Sequence, residues 1–122
     1  MKKFDLEDRL VDFSVLIIEL VDAMPKSKAG NQLAGQIVRS GTSVALNYGE
    51  AQSAESRKDF VHKMKIVLKE LRETFVCLKI IEKANLTPKS TNLDHVKKEA
   101  HELISIFVKS VETAQKNSGK VK

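Results

Sequence analysis

The sequence predicts an all-α chain folded as an antiparallel, up-and-down four-helix bundle. Three observations carry that prediction. Apolar residues recur at spacings of three and four in four separate stretches, strand-like alternation occurs nowhere, and the connectors are short. At 122 residues the chain fits one domain with a core of its own. Aromatic content is 5% and Trp is absent, so the core must be aliphatic.

The first helix is expected at about 6–24. Leu6, Leu10, Phe13, Ile17, Leu20 and Met24 fall on one stripe, and Asp5 is a suitable N-cap with acids in the first turn behind it. Pro25 disfavours helical geometry at Met24 and stops the helix. The second helix, about 28–54, carries Leu33, Ile37, Gly41, Val44, Tyr48 and Ala51 on its stripe and is crowded with small residues. Each interior glycine costs about 1 kcal/mol relative to Ala. Gly35, Gly41 and Gly49 therefore call for a compensating gain, most simply the close approach of another helix. The alternative is that Gly41 or Gly49 marks a break.

Ser56 opens the third helix, about 56–84, as the cap of a box with Asp59 at the third position. Its main stripe is Phe60, Met64, Val67, Leu71, Leu78 and Ile81, flanked on both sides by further apolar residues. So wide an arc places this helix centrally, or against another subunit as well. The fourth helix, about 92–115, follows a polar, Pro-containing loop and is capped by Asn92 or Thr91. Val96, Ala100, Leu103, Phe107 and Ala114 form its stripe. The bundle domain thus spans 1–115, and residues 116–122, with nothing to bury, are expected to be a basic flexible tail.

Charge is uneven along the chain, although the formal total is only +5. Residues 5–24 hold six acids against Arg9, a net of −5, whereas residues 56–84 hold eight Lys/Arg against four acids, a net of +4. Either a polyanion meets the basic part, or complementary faces meet within or between subunits. A single cysteine, Cys77, rules out an internal disulfide and suits a reducing compartment. The acidic start after Met1-Lys2-Lys3 does not resemble a signal peptide, and no apolar run approaches a membrane span. A cytoplasmic protein with no membrane association is the expectation.

Two constellations could carry function. The first is a polar line in the central hairpin: Arg39, Ser43, Asn47 and Glu50 on helix two, and Asp59, Lys63, Glu70 and Glu73 on helix three. In an antiparallel hairpin turning near residues 54–56, facing position numbers sum to about 110. That pairs Arg39 with Glu70 or Glu73, and Asn47 or Glu50 with Lys63. An acid/base site is conceivable there. The balanced charges and the lack of a nucleophile beside a base favour a structural network that fixes register. The second constellation is a basic line, Lys58, His62, Lys65, Lys69 and Arg72, continued by Lys79 and Lys83. It lies opposite the apolar stripe, where it can track a phosphate backbone or simply be solvated. No aromatic residue interleaves with it, which argues against base stacking. Lys116, Lys120 and Lys122 could add to it.

Metal and catalytic motifs are weak, and no enzyme activity, cofactor or metal is expected. His95 and Glu99 lie four apart without a third ligand, and His101-Glu102 lacks the second histidine of a zinc-protease helix.

Gln36-Ile37-Val38-Arg39-Ser40-Gly41-Thr42-Ser43-Val44-Ala45, with Asn47, Glu50-Ala51, Ser56, Asp59-Phe60, Lys63 and Glu73-Thr74 downstream, resembles one bacterial family. It is the four-helix bundle family first known from proteins encoded in intervening sequences of large-subunit ribosomal RNA genes. The resemblance extends to Leu20 and Met24-Pro25, so it spans nearly the whole chain. The family is similar to the accessory variability determinants of diversity-generating retroelements, basic homopentameric barrels that bind nucleic acid and assist a reverse transcriptase. The resemblance implies a ring-shaped homo-oligomer, a pentamer, without catalytic activity, whose partner is RNA or DNA. A scaffold that binds a protein partner through its charged faces is the alternative. The family pattern commonly carries aromatic residues after Glu-Thr, of which Phe75-Val76-Cys77 keeps one.

Overall fold

The structure, a computed structural model, describes residues 5–88 and 91–120, with side chains as far as Asn117. Among these residues there are four helices and no strand: α1 (Leu6–Asp22), α2 (Lys28–Gln52), α3 (Arg57–Lys83) and α4 (Leu93–Lys120). α2 packs on α1 and α3, α4 packs on α3 and touches α1 more lightly, and among the described residues the backbones of α1 and α3, and of α2 and α4, do not come close to one another. The helices therefore stand at the corners of a square in chain order, with α1 and α3 on a diagonal. That is the expected bundle.

The local signals act at the helix ends. Asp5 caps α1 by accepting from the Asp8 N–H (3.2 Å), and Ser56 caps α3 by accepting from the Asp59 N–H (3.0 Å). Ser27 does the same for α2 through the Gly30 N–H (3.0 Å). α3 ends at Ala84, with Asn85 in the left-handed region at φ 54°. The Asn85 N–H then reaches the Glu82 carbonyl (3.1 Å) and the Leu86 N–H the Ile81 carbonyl (3.0 Å), a Schellman closure that turns Leu86 back onto the core.

The apolar stripes meet in one core. Leu10, Phe13 and Ile17 of α1, Ile37 and Val44 of α2, Val67, Leu71, Leu78 and Ile81 of α3, and Ala100, Leu103 and Phe107 of α4 are completely buried. Stripe members near the helix ends, Leu6, Tyr48 and Phe60, are half-buried. Tyr48 meets Phe107 edge-on at 5.7 Å between ring centroids.

Two expectations need correction. α4 does not stop near Ala114; its backbone stays helical to Lys120, past the expected end of the domain at residue 115. Propagating an existing helix avoids the expensive nucleation step, so it can continue through Gln115 and Lys116 where nothing is buried, and beyond them against the lower helix propensity of Asn117, Ser118 and Gly119. The glycines of α2 also divide. A Cβ on Gly41 would lie 2.9 Å from Ile17 Cγ1, so Gly41 is the notch that lets α1 approach. Ser14 sits beside it, its hydroxyl shared between the carbonyls of Gly41 (3.0 Å) and Leu10 (3.1 Å). Gly35 and Gly49 have nothing within 4 Å of an added Cβ; the close approach expected at all three exists at Gly41 alone. None of them breaks the helix.

Candidate functional site

The α2–α3 hairpin brings the polar line together largely as its register predicts. Arg39 donates to both carboxylates offered by α3: Nη1 reaches Glu70 Oε1 at 3.2 Å and Nη2 reaches Glu73 Oε2. Lys63 Nζ meets Glu50 Oε1 at 2.6 Å. These partners, Glu73 first for Arg39 and Glu50 first for Lys63, hold both cations protonated above their ordinary range. Asn47 does not cross to Lys63. It turns along its own helix and donates to the Ser43 carbonyl (2.9 Å) and hydroxyl (2.8 Å). Asp59 offers its backbone N–H to the Ser56 cap and lies close enough to Lys63 to favour its charge.

The network is a seam at the surface rather than a buried site. Arg39 keeps 57% of its side-chain surface exposed, and only Glu70 among the charged members is buried. Beneath it lies a contact the sequence pattern did not reveal. The hydroxyls of Ser40 and Thr74, both fully buried, are 2.8 Å apart, and Thr74 also bonds to the Glu70 carbonyl at 2.8 Å. Among small and apolar neighbours, Ser40 and Thr74 look like spacer residues until α2 and α3 are docked.

A second clamp was missed altogether. Arg9 of α1 donates from Nε to Glu99 Oε2 (2.7 Å) and from Nη2 to Glu99 Oε1 (2.9 Å) and Glu102 Oε1 (3.0 Å). The bidentate bond to Arg9 pulls the Glu99 carboxyl below the usual carboxylate range, against an opposing effect of burial. A lone Arg in an acidic helix was the available clue; its partner lies ninety residues away. Glu99 is thus committed to Arg9, and no group of three or more His, Cys, Asp or Glu converges among the described residues. Cys77 is buried, and that burial raises its thiol pKa.

The basic line of α3 emerges as a continuous outer face. Lys58, His62, Lys65, Lys69 and Arg72 are all exposed, and none forms an ion pair among the described residues. Toward the C-terminal end of α3 the face becomes mixed: Val76 and Ile80 are about half exposed, and Lys79 lies over the Phe75 ring at 5.3 Å. Phe75 itself leans on His101 across the α3–α4 seam, at 6.0 Å between centroids. Lys116 is exposed on α4, in a shallow groove with Lys109 and Glu112, and does not extend the α3 line. The side chain of Lys120 and the whole of Lys122 lie outside the described residues.

Diagonally opposite, α1 presents Asp8, Asp12, Glu19 and Asp22 together with Val11, Val15 and Ile18, three apolar side chains exposed by 43–46%. Their spacing of four and three, off the core stripe, was the sequence signal for a second apolar face. Next to them the outer side of α2 carries Gly35, Thr42, Leu46 and Gly49.

The family model of the 23S rRNA-intervening sequence proteins matches residues 2–109. The chain belongs to that family. Among solved structures it is similar to a protein of unknown function from the S23 ribosomal protein family of Bacteroides thetaiotaomicron, at 27% identity and a TM-score of 0.79. That likeness covers 88% of this chain and 98% of the other. No curated protein matches the chain. No helix among the described residues is long and apolar enough to cross a membrane.

Proposed function

We propose that this intervening-sequence family member is a non-enzymatic, homo-oligomeric bundle that binds the backbone of RNA or DNA through the outer face of α3. The observation that carries the reading is the contrast in pairing on one helix. Lys63 has a carboxylate partner within the chain, whereas Lys58, Lys65, Lys69 and Arg72 have none among the described residues and face solvent. Four exposed cations along one face of a helix suit a polyanion better than a single anion. The lack of interleaved aromatics favours sequence-independent contact.

Labelled single-stranded RNA, single-stranded DNA and duplex DNA titrated at two salt concentrations test this. About four phosphate contacts predict a loss of roughly 10²-fold in affinity between 50 and 200 mM salt. No binding to any of the three at low salt refutes the proposal.

A second reading is favoured by α1. Its acidic and apolar face lies on the side of the bundle opposite the basic face of α3, and the two are complementary in charge. Head-to-tail contact between such faces is heterologous and closes into a ring when the rotation allows. Gly35, Gly49 and Leu46, open in the single chain, would lie beside that contact. The pentameric ring implied by the family resemblance is one such closure. In this reading the faces are subunit or protein-partner contacts. An oligomer held this way loses mass in high salt; an unchanged mass at 1 M salt argues against it.

A further inference from the structure

At the end of the bundle where α3 begins and α4 finishes, the core stops short of the surface. The stripe positions there are small, Ala51 on α2 and Ala114 on α4, and an open cleft of about 790 Å³ lies between the helix ends. Binding sites for small organic molecules run about 300–1,000 Å³ and combine an apolar floor with a few placed polar groups. This one fits that description. Phe60, Met64 and Tyr48 supply apolar and aromatic wall, and Ser110, Thr113 and Asn117 supply hydroxyl and amide groups from one side of α4.

Its charges are one-sided. Arg57 and Lys109 line the cavity, no carboxylate lines it among the described residues, and neither cation is paired there with an acid. Asp5 and Glu7 lie near enough to add to the raised pKa of Tyr48, which burial chiefly causes, but neither lines the cavity. Ser56, the cap of α3, is also part of the wall. The cap takes up the Asp59 N–H and leaves the first amides of the helix without a helical partner.

We infer that this cavity binds a nucleotide-sized organic phosphate, the phosphate held by Arg57 and Lys109 and the ring lying against Phe60 and Tyr48. The openness of the site and its mixture of aromatic, hydroxyl and amide groups fit a ring, a sugar and a phosphate better than a lipid chain. The ligand could be a free mononucleotide or the phosphorylated end of a strand; the recognition chemistry is the same. The assignment is independent of the α3 outer face.

Titration of the full chain with AMP, followed by calorimetry and by amide chemical shifts, tests it. AMP should bind and move the amides of Arg57, Lys58 and Ser110, with adenosine weaker by about tenfold or more, because a charge-assisted phosphate contact is lost. The double variant Arg57→Gln/Lys109→Gln should lower AMP affinity by about tenfold or more while leaving the melting temperature unchanged. Lys65→Glu/Lys69→Glu, which alters the outer face of α3, should leave AMP binding intact. A 5′-phosphorylated oligonucleotide that outcompetes both AMP and its 5′-hydroxyl counterpart supports the site and assigns it to strand ends; AMP binding without that preference supports it as a site for free nucleotides. Equal affinity for AMP and adenosine, no shift of those amides at millimolar AMP, or binding of decanoate in place of AMP would overturn the inference.

Discussion

The inner and outer sides of the α2–α3 hairpin use the same residue types for different ends. On the inner side Arg39, Lys63, Glu50 and Glu73 are matched across the seam, the Ser40 and Thr74 hydroxyls meet, and Gly41 lies against Ile17. On the outer side Lys58, Lys65, Lys69 and Arg72 have no carboxylate among the described residues, and a Cβ added at Gly35 or Gly49 would meet nothing. A lysine that has an internal partner fixes how helices dock. One that has none does nothing for the fold, so its role must be sought outside the chain.

The largest effect should come from the outer side. Lys65→Glu/Lys69→Glu is expected to weaken RNA binding by about a hundredfold and to lower the salt slope by about 2, while the melting temperature stays the same. A variant that binds normally would remove the distinction between the two sides. On the inner side, Gly41→Ala forces a methyl group against Ile17 and is expected to cost about 1–3 kcal/mol in urea unfolding. Thr74→Val removes one of two mutually bonded buried hydroxyls and should cost about 1–2 kcal/mol, leaving nucleic-acid binding untouched.

The Arg9–Glu99 clamp adds a smaller, pH-dependent effect. The folded-state pKa of Glu99 is depressed, so its contribution is present above the unfolded value of about 4.3 and is lost as pH falls through the folded one. Stability measured from pH 6 down to pH 3 should fall less steeply in Glu99→Gln than in the parent. The smallest effect has the opposite sign. Gly35→Ala, with open space around it, should stabilise the bundle by about 0.5–1 kcal/mol, against the loss at Gly41. Should Gly35→Ala instead disrupt an oligomer without unfolding the chain, the outer side of α2 would be identified as a subunit contact.

Much of this was legible before docking. The caps Asp5 and Ser56 act on neighbours three residues away, so the local chain decides them. Arg39 with Glu70 and Glu73 was readable because an antiparallel hairpin with a known turn fixes which residues face each other. Asn47 departed from that register because a bond to Ser43 on its own helix was available without crossing the seam. The end of α4 was placed too early, since periodicity reports burial and a helix can outrun the residues it buries.

By itself, then, the sequence determined the four helices, the stripes that meet in the core, the register of one hairpin and the outward direction of the α3 cations. These follow from interactions within a few residues or across one short turn. Tertiary structure alone decided that Arg9 closes on Glu99 and Glu102, that Gly41 differs from Gly35 and Gly49, and that Arg57 and Lys109 share a cavity. In each case the partners lie far apart in the chain or on different helices. Which of many compatible groups meet depends on the rotation and offset of whole helices, and only packing of the complete core fixes those.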